Sequence, residues 1–149
     1  MNAAHHAFLA LQRAAAILAA AAAELLRSED LSPAQYNVLR ILRGAGKTPL
    51  ACGDIAERLI ARGPDMTRLL DRMERDGLVE RARSAHDRRV VSTRITVRGR
   101  IVLERLDEPM AALHDRQLKH LGAKRLKELV TLIDAAVPPA PVTAPGSAQ

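Results

Sequence analysis

The sequence predicts a mainly α-helical fold that carries one small β-hairpin, and three observations point that way. Apolar residues recur at three- and four-residue spacing over most of the 149 residues, the mark of amphipathic helices. Aromatic residues make up 1% of the chain although hydrophobic residues make up 48%, so the core must be built from Ala, Leu, Val and Ile, which favours closely packed helices. The helical pattern breaks once. Leu78 to Arg83 and Val90 to Thr96 are β-branched or alternating, and they flank the polar, basic segment Ser84-Ala85-His86-Asp87-Arg88-Arg89.

Taken in order, residues 3–27 form a long Ala-rich helix whose seam is Phe8, Leu11, Ala15, Leu18, Ala22 and Leu25. Such a seam requires another helix, without saying which chain supplies it. Ser32-Pro33-Ala34-Gln35 has the form of a capping box with Pro at the first helical position, so a second helix starts at Pro33. It buries Tyr36, Val38, Leu39 and Leu42 and stops at Gly44-Ala45-Gly46. Leu50 to Leu59 or Ile60 reads as a third helix with Ile55, Ala56 and Leu59 inward, and Ala61-Arg62-Gly63 as a tight turn. Pro64 suits the first position of a fourth helix, with the Asp65 carboxylate near the positive end of its dipole. Met66, Leu69, Leu70 and Met73 mark the buried face of that helix and leave Thr67, Arg68, Asp71, Arg72 and Arg75 outward, until Asp76-Gly77 ends it. After the hairpin, residues 98–120 form a helix with Ile101, Val102, Leu106, Met110 and Leu113 apolar and a kink at Pro109. Gly122 breaks it, and Ala123 to Ala136 makes a last helix with Leu126, Leu129, Val130 and Ile133 inward. The Pro-rich remainder is a flexible tail.

The formal charge is +6, and residues 62–100 hold eleven arginines against six acids, while residues 101–149 are balanced. Every cation in the basic segment is Arg, which suits planar, multi-donor contact with phosphate or guanine. A cationic helix followed at once by a hairpin with a cationic tip is the arrangement of a winged helix-turn-helix, in which the helix enters a DNA major groove and the hairpin reaches the backbone or minor groove. Thr67 and Arg68 are placed for base edges, and Arg72 and Arg75 for phosphates. Arg62, Arg88 and Arg98 add backbone contacts, and Pro64 and Asp65 open the DNA-facing helix.

From Leu31 to Gly99, and more loosely from Phe8 to Val137, the chain resembles the MarR (multiple antibiotic resistance regulator) family of bacterial transcription factors. The resemblance is carried by Leu31-Ser32-Pro33-Ala34-Gln35-Tyr36-Asn37-Val38-Leu39, by Asp54-Ile55-Ala56-Glu57-Arg58-Leu59, and by Asp65 to Glu74. It continues through Gly77-Leu78-Val79-Glu80-Arg81 and through Asp87-Arg88-Arg89 ahead of Thr96-Val97-Arg98-Gly99. The order and spacing of these pieces make it specific. It implies a homodimeric repressor on a pseudo-palindromic double-stranded DNA operator, with Arg89 entering the minor groove and Asp87 supporting it. It also implies that first and last helices interlock two subunits through Phe8, Leu11, Leu18, Leu25, Leu126, Leu129 and Ile133. On that basis the chain divides into a dimerisation helix (1–30), a winged helix-turn-helix region (31–98), C-terminal dimerisation helices (99–136) and a tail (137–149), intertwined as one domain. The family implies a small, often aromatic effector between the dimer helices and the DNA-binding lobe, although one Tyr and one Phe supply little aromatic lining. Lys124 and Arg125 stand where the family has acids.

Little supports catalysis: there is no Gly-rich phosphate loop after a strand, no nucleophile elbow and no His-Glu-x-x-His helix. His5, His6, His86, His114 and His120 lack metal-ligand spacing, and no metal or cofactor is expected. Cys52 reads as a small buried hydrophobe, with redox sensing as the alternative. A single Cys forms no internal disulfide, no uncharged stretch reaches membrane-spanning length, and Met1 to Ala7 lacks the basic start of a secretory signal, so a cytoplasmic location is expected. The competing function is a winged-helix protein-interaction adaptor without operator recognition.

Overall fold

The computed structural model describes residues 2–60 and 65–137, so the expectations for the Ala61-Arg62-Gly63 turn, Pro64 and residues 138–149 lie outside the described residues. Six helices and three short strands are described: α1 (Ala3–Leu26), α2 (Pro33–Gly44), β1 (Leu50–Ala51), α3 (Cys52–Arg58), α4 (Met66–Arg75), β2 (Val79–Arg83), β3 (Val91–Ile95), α5 (Val97–Leu118) and α6 (Gly122–Ala136). Single 3-10 turns, Arg27–Glu29 and Lys119–Leu121, follow α1 and α5.

Local chemistry sets most of these boundaries. The Ser32 hydroxyl accepts from the Gln35 N–H (3.2 Å) and the Gln35 side chain accepts from the Ser32 N–H (2.9 Å), which completes the expected capping box at α2. At α4 the helix begins at Met66, two residues later than Pro64 at the first helical position implied. Asp65 is the N-cap, its Oδ1 accepting from the Arg68 N–H at 3.2 Å, because an acid that satisfies an orphan donor does so from outside the helix. Gly77, at φ +72°, stops α4 in a left-handed conformation.

The largest departure from the sequence pattern is the third strand. Leu50 and Ala51, expected to open a helix, pair instead with Thr93 and Ser92, giving an antiparallel sheet in the order β1-β3-β2. Two residues are too short for a period-of-two signal, and the pairing depends on a partner about forty positions away. The expected hairpin is present, with Arg81 opposite Thr93 and Val79 opposite Ile95.

One core joins α2, α3, α4, the sheet and α5 through Val38, Leu39, Leu42, Ile55, Leu70, Met73, Val79, Ile95, Leu103 and Leu106. On α5 the inward set is Val102, Leu103, Leu106, Met110 and Leu113; Ile101, expected inside, is exposed and Leu103 takes its place. The helix continues through Pro109. Arg43 of α2 forms a two-pronged ion pair with Asp107 of α5 (2.8 and 2.9 Å), and this hydrogen bonding holds the Asp107 carboxyl below its usual range.

The junction of α4, the sheet and α5 is the tightest place in the lobe. The Thr96 hydroxyl donates to the Gly77 carbonyl (2.7 Å), lies 3.1 Å from that of Leu78, and accepts from the Gly99 N–H (3.0 Å) as the N-cap of α5. Gly99 lies against the Leu78 carbonyl, and a Cβ there would also come within 2.9 Å of Ile95 Cγ1 and 3.2 Å of Leu39 Cδ2.

The terminal helices are only partly covered within one chain, including the α6 residues expected inward. Within one chain Phe8 is 55% exposed and Ile133 39%, with Leu11, Leu129 and Val130 also exposed and Leu18, Leu25 and Leu126 half-buried. The run Ala3–Glu29 is long and apolar enough to cross a membrane by length and composition, with a window of mean hydropathy 1.6, but Arg13, Glu24, Arg27 and Glu29 interrupt it, so no uncharged stretch within it reaches that length. Gln117 of α5 donates to the Leu18 carbonyl (3.4 Å) and fastens the lower half of α1 to the scaffold.

Gly99→Ala should therefore destabilise the fold by about 1–3 kcal/mol through overpacking against backbone, seen as a lowered melting temperature; an unchanged melt would contradict this close approach.

Candidate nucleic-acid interface

α4 divides cleanly into two faces. Leu70 and Met73 are buried and Met66 and Leu69 half-buried, while Thr67, Arg68, Asp71, Arg72 and Arg75 are exposed, as the spacing predicted. Arg68 is 86% exposed along its side chain, with only a loose ion pair to Asp65 at 3.5 Å. Arg72 and Arg75 enter no ion pair among the described residues.

The wing tip is held by its own backbone. The Ser84 N–H donates to the Val90 carbonyl (2.8 Å) and the Val90 N–H to the Asp87 carbonyl (3.0 Å). Asp87 Oδ1 accepts from the Arg89 N–H at 2.9 Å, and Arg83 donates to the Arg88 carbonyl at 2.8 Å. Asp87 thus shapes the turn through the main chain of Arg89 and forms no ion pair with its guanidinium among the described residues. Arg88 and Arg89 are exposed. Arg89 borders a cleft of about 390 Å³ shared with Thr67 and Leu70 of α4 and Cys52 of α3, so wing and helix face one groove. Cys52, at the start of α3, is half-buried there and packs against the core.

Of the other expected contacts, Arg98 stands apart: it lies beyond Gly77 at the C-terminal end of α4, in a groove with Asp76, Glu29 and Arg105. Arg62 and Pro64 lie outside the described residues.

Sequence reasoning missed Arg81. From the inner face of β2 its Nε and Nη2 donate to Glu74 Oε2 (3.0 and 2.9 Å), Nη2 also donates to Asp71, and its N–H donates to Glu74 Oε1 (3.3 Å). Burial works against its charge, but the hydrogen bonds to Glu74 and Asp71 outweigh burial and raise its pKa. The signal was present in the strand alternation, which puts Val79, Arg81 and Arg83 on one face, opposite two acids three residues apart on α4.

A second feature lies under the lobe. A largely apolar cavity of about 560 Å³ between α1, α2 and α5 is lined by Ala22, Leu26, Tyr36, Arg40, Met110 and His114, with the Arg40 guanidinium 5.9 Å from the Tyr36 ring centre. Among the described residues, no cluster of three or more His, Cys, Asp or Glu is placed to hold a metal ion.

The fold and this surface have close counterparts. The MarR family profile matches residues 29–90. The crystal structure of a MarR transcription factor from Planctomyces limnophilus is 39% identical and superposes with a TM-score of 0.70 over 91% of this chain and 98% of that one. This chain belongs to the MarR family. Among further MarR-family relatives, the HTH-type transcriptional repressor IacR of Pseudomonas putida is 33% identical over 110 residues, 74% of this chain. The chain spans 65% of that repressor's length and 57% of that of the Bacillus subtilis regulator YfiV, to which it is 35% identical over 102 residues. A mutant of Escherichia coli MarR, solved in complex with operator DNA, is 26% identical with a TM-score of 0.73 over 91% of this chain and 93% of that one.

Proposed function

We infer that this MarR-family protein is a cytoplasmic, sequence-specific double-stranded-DNA-binding regulator that acts as a homodimeric, ligand-responsive repressor on a pseudo-palindromic operator, and that it is not an enzyme. The observation that carries this reading is the exposed arginine row Arg68, Arg72 and Arg75 on α4, the helix whose Thr67 and Leu70 share one groove with the Arg89 wing tip. α4 offers Thr67 and Arg68 to base edges, while Arg72 and Arg75 reach phosphates on either side. The relative solved with operator DNA has the same fold, and the curated relatives are named as transcriptional regulators.

Dimerisation follows from the terminal helices. The uncovered apolar rows of α1 and α6 require a partner surface, and a second copy supplies one of matching length and chemistry. Two copies would set the recognition helices one DNA turn apart, about 34–36 Å. The cavity beneath the lobe suits an effector with an apolar body and an anionic group directed at Arg40.

Fluorescence anisotropy with the chain's own upstream DNA and an unrelated duplex, over several salt concentrations, tests the reading. Tight, salt-steep binding to its own DNA is expected, with Arg68→Ala costing about 1–3 kcal/mol and Arg89→Ala also weakening it. Equal, feeble binding to both duplexes, unmoved by either substitution, would favour the protein-interaction adaptor. In sedimentation velocity the wild type should run as a dimer and Leu129→Glu/Ile133→Glu as a monomer; a dimer that survives would remove α6 from the interface. Benzoate, as a probe of the cavity, should weaken DNA binding several-fold in the wild type and not in Arg40→Gln, and an equal effect in both would exclude Arg40 as the anion's partner.

A further inference from the structure

The recognition helix has an internal problem that its sequence creates. α4 carries three arginines and two acids, and Asp71 stands four residues before Arg75 and three after Arg68. An acid four residues ahead of a base is the favourable order for an ion pair along a helix. Left to itself, Asp71 draws Arg75 and Arg68 down onto the helix surface, and the Glu74 carboxylate adds a second negative charge within a Debye length of any phosphate that α4 approaches.

The structure shows a different pairing. Both carboxylates turn toward the sheet and are taken by Arg81 of β2, which gives Nε, Nη2 and its own N–H to them. Its side chain is 22% exposed, against 48% for Asp71 and 42% for Glu74, so the cation sits behind the acids as seen from solvent. Arg72 and Arg75, meanwhile, have no carboxylate partner among the described residues.

Building on the DNA-binding reading above, we propose that Arg81 is a positioning residue for DNA recognition: by occupying Asp71 and Glu74 it keeps Arg72 and Arg75 of α4 unpaired and directed at the duplex. It acts without touching DNA, because its Nε and Nη2 are committed to the acids. The same contacts brace α4 against the hairpin, so a test has to separate charge masking from bracing.

Neutralising the acids does so. Asp71→Asn/Glu74→Gln removes the ion pairs and with them the competition for Arg75, so it should bind the chain's own upstream DNA at least as tightly as wild type. Arg81→Ala releases both carboxylates and should weaken binding about tenfold and lower the magnitude of the log–log salt slope by about 0.9 for each phosphate that is no longer neutralised. Arg81→Ala/Asp71→Asn/Glu74→Gln should return affinity and slope to within about threefold and a few tenths of wild type. Thermal melts and far-ultraviolet circular dichroism establish that each variant is folded. If Arg81→Ala does not fold, the acid-neutralised variants still decide the matter. Weaker binding by Asp71→Asn/Glu74→Gln, a triple variant as weak as Arg81→Ala, or Arg81→Ala equal to wild type would each overturn the proposal. Wild-type binding alone decides the underlying reading: no preference for its own DNA would overturn both, while a wild type that binds with unaffected variants overturns only the role of Arg81.

Discussion

The lobe depends on the hydrogen bonding of one side chain, Thr96, at the point where four elements meet. Its hydroxyl ties the end of α4 (Gly77) to the start of α5 (Gly99), while the Thr96 N–H donates to the Leu78 carbonyl at 3.1 Å. The candidate recognition helix α4, the hairpin that flanks it and the long helix that leads to the scaffold are thereby held by a few atoms. The absence of a side chain at Gly99 lets α5 lie directly on the Leu78 backbone. Any shift of α5 therefore reaches α4 through a rigid, well-packed contact.

A second constraint is electrostatic. A DNA-facing helix needs cations outward and apolar residues inward, and α4 meets both needs while also carrying Asp71 and Glu74. Those acids are tolerated because the neighbouring strand supplies a partner of the right geometry. Exposed ion pairs along a helix are worth only a few tenths of a kcal/mol, whereas a forked arginine at 22% exposure is better placed to win the competition for the carboxylates. The outcome is a division of labour among arginines that are equivalent by composition: one is spent inside the lobe and the others stay on its surface.

The scaffold follows a different rule. α1 and α6 expose apolar rows that a single chain leaves uncovered, and the cavity beside Tyr36 and Arg40 lies between that scaffold and the DNA-binding lobe. A ligand there would touch α1, α2 and α5 together and, in the proposed dimer, would act on the elements that set how two lobes are spaced. One Tyr suffices as an aromatic surface because Ala22, Leu26 and Met110 supply the rest of the apolar wall.

The helices, the capping box at Ser32, the stop at Gly77, the hairpin and the outward arginines of α4 were legible in the sequence, because each depends on residues within one or two turns of one another. The family was legible too, since its motifs follow one another at fixed spacing. Tertiary structure alone decided the rest. Leu50-Ala51 became a strand because β3 offered an open edge, Asp65 became a cap and not a helical residue, and Leu103 took the core position expected for Ile101. Asp87 took the Arg89 N–H as its partner in the wing, and Arg81, one arginine among eleven in the basic segment, acquired its partners from a neighbouring element. Local patterns determine which groups a segment can present; which of two competing partners a charge takes depends on distances across the fold, and those exist only once the chain has packed.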